Sequence, residues 1–344
     1  MKQFRSSIIV TVIGLAIAYY LGGFYALYIT ALLSILEISL SFDNAVVNAK
    51  VLDTMEPKWQ QRFITYGIPI AVFGMRFVFP IVIVSVASGM GIFETFNVAV
   101  DDPTKYHEVL SSVEKVIYAF GSSFLLMVFL DFLFEEDREH KWINIIEKSK
   151  TLDKLNEVNN IELMIAISLG LLLTYLTEDA SIALAYFGGI LLHSVIASLD
   201  TLMSTNGVRS GVMGFLYLEV LDASFSFDGV IGAFALTSDI FIIMIGLGIG
   251  AMFVRSLTLY FVEQKTLSEF RYLEHGASYA ILALSLVMYY KIFGHINEVI
   301  VGTIGITFIG ISTWHSIKAN KAETIESEKE SKIEETKENK IEND

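Results

Sequence analysis

The sequence predicts an all-α, polytopic membrane protein of about ten transmembrane helices, built as an inverted-topology repeat in which helices 2 and 7 are interrupted. Three observations predict it. Hydrophobic residues make up 53% of the chain against 18% charged, and the mean hydropathy is +0.57, a composition suited to a bilayer. Apolar runs of about 20 residues recur, the length that crosses a hydrocarbon layer at 1.5 Å per residue. One acidic, serine-bearing motif also occurs twice, as LEISLSFDNAVVNA at 36–49 and LDASFSFDGVIGAF at 221–234.

The first run, 6–21, follows Lys2 and Arg5 and has the look of a secretory signal. No small-residue cleavage site follows it, and the next run starts just after Gly22 and Gly23, so a retained first helix is expected. Further runs at 25–47, 63–87, 110–133, 161–176, 180–203, 210–236, 240–262, 275–290 and 297–315 bring the total to ten. A cytoplasmic amino terminus puts Lys50, Arg62, the basic residues of 138–154, Arg209, Lys265 and Arg271 inside, leaving mainly Lys105, Lys115 and Lys291 outside. The positive-inside rule prefers that orientation and places both termini in the cytoplasm, with the inner or plasma membrane as the location.

The domain organisation follows from the count. Residues 1–176 form the first repeat, helices 1–5, with a cytoplasmic connector at 135–160 that is amphipathic enough to lie on the membrane surface. Residues 177–317 form the second repeat, helices 6–10. The tail, 318–344, is so rich in Glu, Lys, Ser and Thr that it is expected to be disordered and cytoplasmic. Connector and tail are the candidate contact surfaces for protein partners. The loop holding Glu94, Asp101 and Asp102 faces outward, and solvation alone explains its charge. Without cysteine, disulfides, thiolate metal sites and cysteine nucleophiles are excluded.

The two motif copies align without a gap, pairing Leu36 with Leu221, Glu37 with Asp222, Ser39 with Ser224, Ser41 with Ser226, Phe42 with Phe227 and Asp43 with Asp228. The helix after each copy carries one arginine, Arg76 and Arg255. Five crossings separate the copies, an odd number, so they run through the membrane in opposite senses, as in inverted-repeat transporters whose site lies near the midplane. A charged carboxylate at the bilayer centre costs about 2.5–3.5 kcal/mol, so Glu37, Asp43, Glu219, Asp222 and Asp228 together cost on the order of 12–17 kcal/mol. Protons, Arg76 and Arg255, or a bound cation must offset that cost.

Residues six apart on a helix are separated by about 120°, so Glu37 and Asp43 do not share a face on an unbroken helix. Asp43–Asn44 and Asp228–Gly229 are turn-forming pairs, which predicts local unwinding at 41–45 and 226–230; a continuous helix with the acids spread between neighbours is the alternative. Carboxylates, the Asn44 amide and the hydroxyls of Ser39, Ser41, Ser224 and Ser226 make an oxygen-rich set that suits hard divalent cations. His193 is either an accessory ligand or proton carrier, or a packed core histidine. Asp131, a further accessory candidate, and Asp200 lie near helix ends and suit an interfacial role. Arg76 and Arg255 read as counter-ions rather than anion ligands, and the glycines of GLGIGAMF at 246–253 as close-packing positions.

LSFDNA with an acid six residues before its aspartate, and Glu-x-x-Asp-x-x-Phe-x-x-Asp in EVLDASFSFD, resemble the signature of the TerC family of membrane proteins, first associated with tellurium resistance. The resemblance extends to FGSSFLLMVFLDFLFEEDREHKW and RYLEHGASYAILAL, in the manner of a longer branch of that family. It implies a place among the LysE-like inverted-repeat transporters and export of manganese or a similar divalent cation, with the metal positions falling on Glu37, Asp43, Asn44, Glu219, Asp222 and Asp228. One departure is Gly229, where many members carry serine.

The expected function is a secondary transporter that exports such a cation, in exchange for protons, with no enzymatic activity and no bound cofactor. The alternative is a non-transporting scaffold or sensor in a metal or tellurite stress-response complex. An intramembrane aspartyl protease lacks its Gly-x-Gly-Asp element here. No nucleotide loop or nucleic-acid module is present, so an ion gradient is the remaining energy source.

Overall fold

Helices alone carry the chain through its apolar surroundings, because a backbone without water has to satisfy its polar groups internally. A computed structural model of the chain describes residues 3–135, 140–203, 211–234, 236–237 and 239–341. It is 87% helical, with no strand among the described residues. Five helices there are long and apolar enough to cross a membrane, or seven when each of two bent pairs counts as one span. That falls short of the ten expected: α14, introduced below, is not apolar enough to be counted, and two further reasons are visible. The first two runs are one element, α1 (Arg5–Leu40), bent where Gly22 and Gly23 leave helical geometry; Gly23, at φ 66°, has the left-handed backbone that glycine tolerates. α11, introduced below, is long enough at 24 residues but carries Glu219, Asp222 and Asp228.

After a break at Ser41 the chain continues as α2 (Phe42–Asp53) and α3 (Pro57–Pro69). Pro69 has no N–H to give the carbonyl of the preceding turn, and the chain widens into a π-helical stretch, Ile70–Val78, before α4 (Phe79–Ser88). Pro57–Gly67 and Val72–Ser88 are bent by 52° about this stretch, which carries Arg76. α5 (Ile92–Asp101) is a short helix in the expected outer loop, and α6 (Pro103–Phe134) starts on an Asp102 cap that accepts Lys105 N–H. The connector holds α7 (Asn144–Glu147) and α8 (Lys150–Asn156), followed by α9 (Ile161–Thr177) and α10 (Ala180–Met203). The second half continues with α11 (Gly211–Phe234), α12 (Ile240–Glu263), α13 (Thr266–Glu269), α14 (Leu273–Lys291) and α15 (Glu298–Ile341).

α12 runs at the centre, against α1, α2 and the π-helical stretch, while α6 packs on α10 and α14. The glycines of 246–253 are close-packing positions: a Cβ on Gly246 would stand 2.7 Å from Leu33 Cβ, and one on Gly250 2.5 Å from Glu37 Cβ. This Gly-x-x-x-Gly stripe seats α1 and its Glu37 on α12. The outer faces are apolar, with Ile9, Val12 and Tyr20 on α1, Leu184 and Leu191 on α10, and Ile306 and Trp314 on α15 all exposed, as lipid-facing side chains are.

One further expectation changes. The tail expected to be disordered continues α15 as helical backbone to Ile341; a Glu- and Lys-rich sequence has the propensity for helix. The connector docks on the bundle. Glu147 is fully buried and accepts hydrogen bonds from Trp142 N–H (3.0 Å), Ile143 N–H (3.3 Å) and Tyr279 O–H (3.0 Å), with His275 Nε2 at 3.3 Å. Trp142 Nε1–H donates to His315 Nδ1 at 2.8 Å, tying the connector to α15 as well. Burial alone raises the Glu147 carboxyl, but the bonds and the charge of His275 outweigh it and hold it down at about 2.

Candidate functional site

Buried charge gathers where α1, α2, the π-helical stretch, α11 and α12 meet. Glu37, 1% exposed at the end of α1, forms a short ion pair with Arg76 and accepts a hydrogen bond from Ser41 Oγ at 3.1 Å. The break at Ser41 is what lets its hydroxyl turn back to the carboxylate, four residues earlier. Unwinding is limited to this residue, since helix resumes at Phe42, not at 45.

The second copy is not interrupted. α11 stays helical through 226–230, which corrects the unwinding expected there. The reason lies in what Gly229 touches: a Cβ at that position would stand 2.7 Å from Glu37 Oε2, so the glycine makes room for the first copy's acid instead of turning the chain. Ser226 Oγ–H donates to Met75 carbonyl at 3.2 Å, inside the π-helical stretch and next to Arg76. In the i→i+5 pattern of this stretch the Met75 carbonyl would take its bond from residue 80, which is Pro80 and has no N–H, and Ser226 supplies a donor instead.

Asp222 is 5% exposed and accepts Nδ2–H from Asn44 (2.9 Å) and from Asn48 (2.7 Å). The first motif copy therefore grips the acid of the second. Arg255 lies 3.5 Å from Asp222 Oδ2 through Nη1 and 3.5 Å from Glu219 Oε1 through Nη2. Its guanidinium stacks 3.6 Å from the centre of the Phe63 ring and fills a notch at Gly67, where any Cβ would overlap it. Glu37–Arg76 and Asp222–Arg255 thus occupy matching motif positions.

A void of about 10 Å³, roughly the space of one water, is lined by Asn44, Asn48, Arg76, Asp222, Arg255 and Thr258. Of its lining, Asn44 Oδ1, Asn48 Oδ1, Arg76 Nε and Arg255 Nε are buried without a hydrogen-bond partner, as is Oε2 of Glu219, the other acid on Arg255. Orphaned oxygens beside two carboxylates form a hard donor set, two carboxylates and two amide carbonyls, of the kind Mg²⁺, Mn²⁺ and Ca²⁺ favour.

The remaining candidates are dispersed. Asp43, 3% exposed, accepts Asn44 N–H (2.9 Å) in the first turn of α2 and faces a second void of about 10 Å³ shared with Leu284, Val301 and Gly305. The Asp228 side chain lies outside the described residues, as does that of Asp200. Ser39 and Ser224, at equivalent positions, bond to carbonyls of their own helices, Ile35 (2.8 Å) and Val220 (3.0 Å). His193 packs its edge on Phe124 and lies 3.2 Å from Asp131 Oδ2. Asp131 lines a cavity of about 420 Å³ with Glu135, Glu162, Glu274 and Lys50, and Lys50 is ion-paired to Glu135 and Glu274. Among the described residues, no group of three or more His, Asp or Glu side chains stands ready to hold a metal. Asn48, Thr258, Phe63 and Gly67 were missed in the sequence. Asn48 carried a signal, one helical turn after Asn44 on the same face.

Residues 42–323 match the family described as Protein of unknown function (DUF475). The chain belongs to this family. Neither curated proteins nor solved structures give a match. The DUF475 match starts at the Ser41 break, so it takes in Asn44, Asn48, Arg76, Glu219, Asp222 and Arg255, while Glu37 lies just before it.

Proposed function

We propose that this DUF475 protein is a secondary transporter of the TerC type that exports a divalent metal cation, manganese by preference, from the cytoplasm across the inner or plasma membrane, in exchange for protons. One observation carries the reading: Asn44 and Asn48 of the first motif copy hold Asp222 of the second, deep among apolar helices, at 2.9 and 2.7 Å. Two related halves that build one pocket are the hallmark of repeat-built transporters, and opposite membrane senses for the halves give alternating access to it. Four described acids, Glu37, Asp43, Glu219 and Asp222, face only two arginines, Arg76 and Arg255, so a cation or protons complete the charge balance. The acidic cavity beside Lys50 is the cytoplasmic entrance in this reading, with both termini on the same side.

Proteoliposomes carrying a manganese-sensitive dye test the proposal. Wild-type protein is expected to move Mn²⁺, and Asp43→Asn and Asp228→Asn to slow it sharply; equal fluxes in all three end the reading. The second reading, a scaffold or stress sensor, is favoured by the direct pairing of Glu37 with Arg76 and the lack of a three-acid group among the described residues. It predicts capture of a partner by the connector or the tail, and no flux at all.

A further inference from the structure

Arg76 and Arg255 hold matching motif positions but hold their acids differently. Arg76 makes a short, direct pair with Glu37. Arg255 instead divides its guanidinium between Glu219 and Asp222, at 3.5 Å from each, and its Nε has no hydrogen-bond partner. Strong guanidinium–carboxylate pairs use two parallel, short hydrogen bonds to one carboxylate. Arg255 lacks that geometry: it makes one long hydrogen bond, to Glu219 Oε1 at 3.5 Å, and meets Asp222 through charge.

From this we infer that Arg255 is a tethered stand-in for the cargo: its guanidinium competes with a divalent cation for Glu219 and Asp222, and swings off them when the cation binds. The inference rests on the transport reading and adds a regulating residue to its site. Two features make the exchange workable. Arg255 leaves acceptor oxygens unused, since Glu219 Oε2, Asn44 Oδ1 and Asn48 Oδ1 have no hydrogen-bond partner, whereas a hard cation takes carboxylate and amide oxygens together. The guanidinium also has support that does not depend on the acids, in the Phe63 face 3.6 Å from it and the notch at Gly67. With Arg255 in place, two carboxylates carry one compensating charge; a divalent cation supplies two, and the returning arginine then raises the cost of keeping it. That favours release, and it resets the carrier without cargo.

Mn²⁺ binding to the purified full-length protein, followed by the electron-spin-resonance signal of the free ion, tests this. Arg255→Gln is expected to bind Mn²⁺ roughly tenfold tighter than wild type, on the scale of a buried cation–π contact and ion pair removed. Millimolar guanidinium ion should then compete with Mn²⁺ in Arg255→Gln and leave the wild type unaffected. Should Arg255→Gln fail to fold, Phe63→Leu keeps the charge and loosens only its support, and is expected to tighten Mn²⁺ binding roughly threefold. Unchanged or weaker affinity in the folded variant overturns the inference. Wild-type binding without that gain defeats it alone and leaves transport standing, whereas a wild type that binds no Mn²⁺ removes both.

Discussion

Glu37→Gln tests whether the buried charge of the first motif copy is held as a pair. Glu37 and Arg76 have side chains only 1% and 2% exposed, so neither can turn to water when its partner goes. Replacing the carboxylate with an amide keeps the shape and an acceptor for Ser41 Oγ, but it leaves the Arg76 guanidinium as an uncompensated buried charge. Breaking such a pair from one side costs about 3–5 kcal/mol, a large share of an ordinary domain's stability of about 5–15 kcal/mol. Removing both charges together, with Glu37→Gln and Arg76→Met, leaves no charge stranded, and most of that loss is expected to return. Reversible unfolding in mixed micelles, measured on wild type, both single variants and the double variant, gives the coupling energy directly. A coupling of about 2 kcal/mol or more is expected. A single-variant cost under about 1 kcal/mol, or simple additivity across the four proteins, refutes the pair as described.

Three further outcomes follow from the same geometry. Gly250→Ala places a methyl group 2.5 Å from Glu37 Cβ and 3.1 Å from the Ser34 carbonyl, and is expected to cost about 1–3 kcal/mol in the same unfolding assay, while Gly248→Ala, which meets only Val72 Cγ1 at 3.2 Å, stays milder. Asn48→Ala removes one of the two amide donors on Asp222 and is expected to cost about 1.5–3 kcal/mol, the range for a hydrogen bond to a charged group; a loss no larger than that of an exposed alanine substitution rules the contact out. The connector's hold on the bundle depends on acid. Because the Glu147 carboxyl is lowered from 4.5 to about 2, its contribution, about 3 kcal/mol, is fully present above pH 4.5 and is lost as pH falls from there towards 2. Hydrogen exchange at 140–152 is expected to speed up across that window in the wild type, and to be fast and pH-flat, after correction for intrinsic rates, in Glu147→Gln.

Much of the site was legible because the motif occurs twice. The repeat marked Glu37 and Asp222, and Arg76 and Arg255, as equivalent positions with the arginines as counter-ions; that Glu37 meets Arg76 and Asp222 meets Arg255 came only with the structure. The glycines at 246 and 250 were legible for the same reason that they pack: a small residue every fourth position is a flat stripe on a helix. Asp228–Gly229 misled because a dipeptide preference describes a chain in water, whereas the backbone at Gly229 is fixed by Glu37 pressing on it from another helix. The span count was limited by composition itself, since α11 has a spanning length and a run of acids that composition alone does not reconcile. Nothing local marks the connector's docking: Trp142, Glu147, Tyr279 and His315 come together only through the tertiary fold.

The order in which the ribosome releases these residues gives the Glu37 pair a second meaning. Glu37 emerges with α1, before anything that can neutralise it, and Arg76 follows only 39 residues later. At about 5–20 residues per second that interval lasts several seconds. During that interval the nascent segment carries an acid that lipid disfavours in its charged form and that has not yet met its arginine. The second copy has no such wait for its amide partners, because Asn44 and Asn48 have already been made when Asp222 appears. Each motif acid thus precedes its arginine in the chain, and only the second copy finds Asn44 and Asn48 already made.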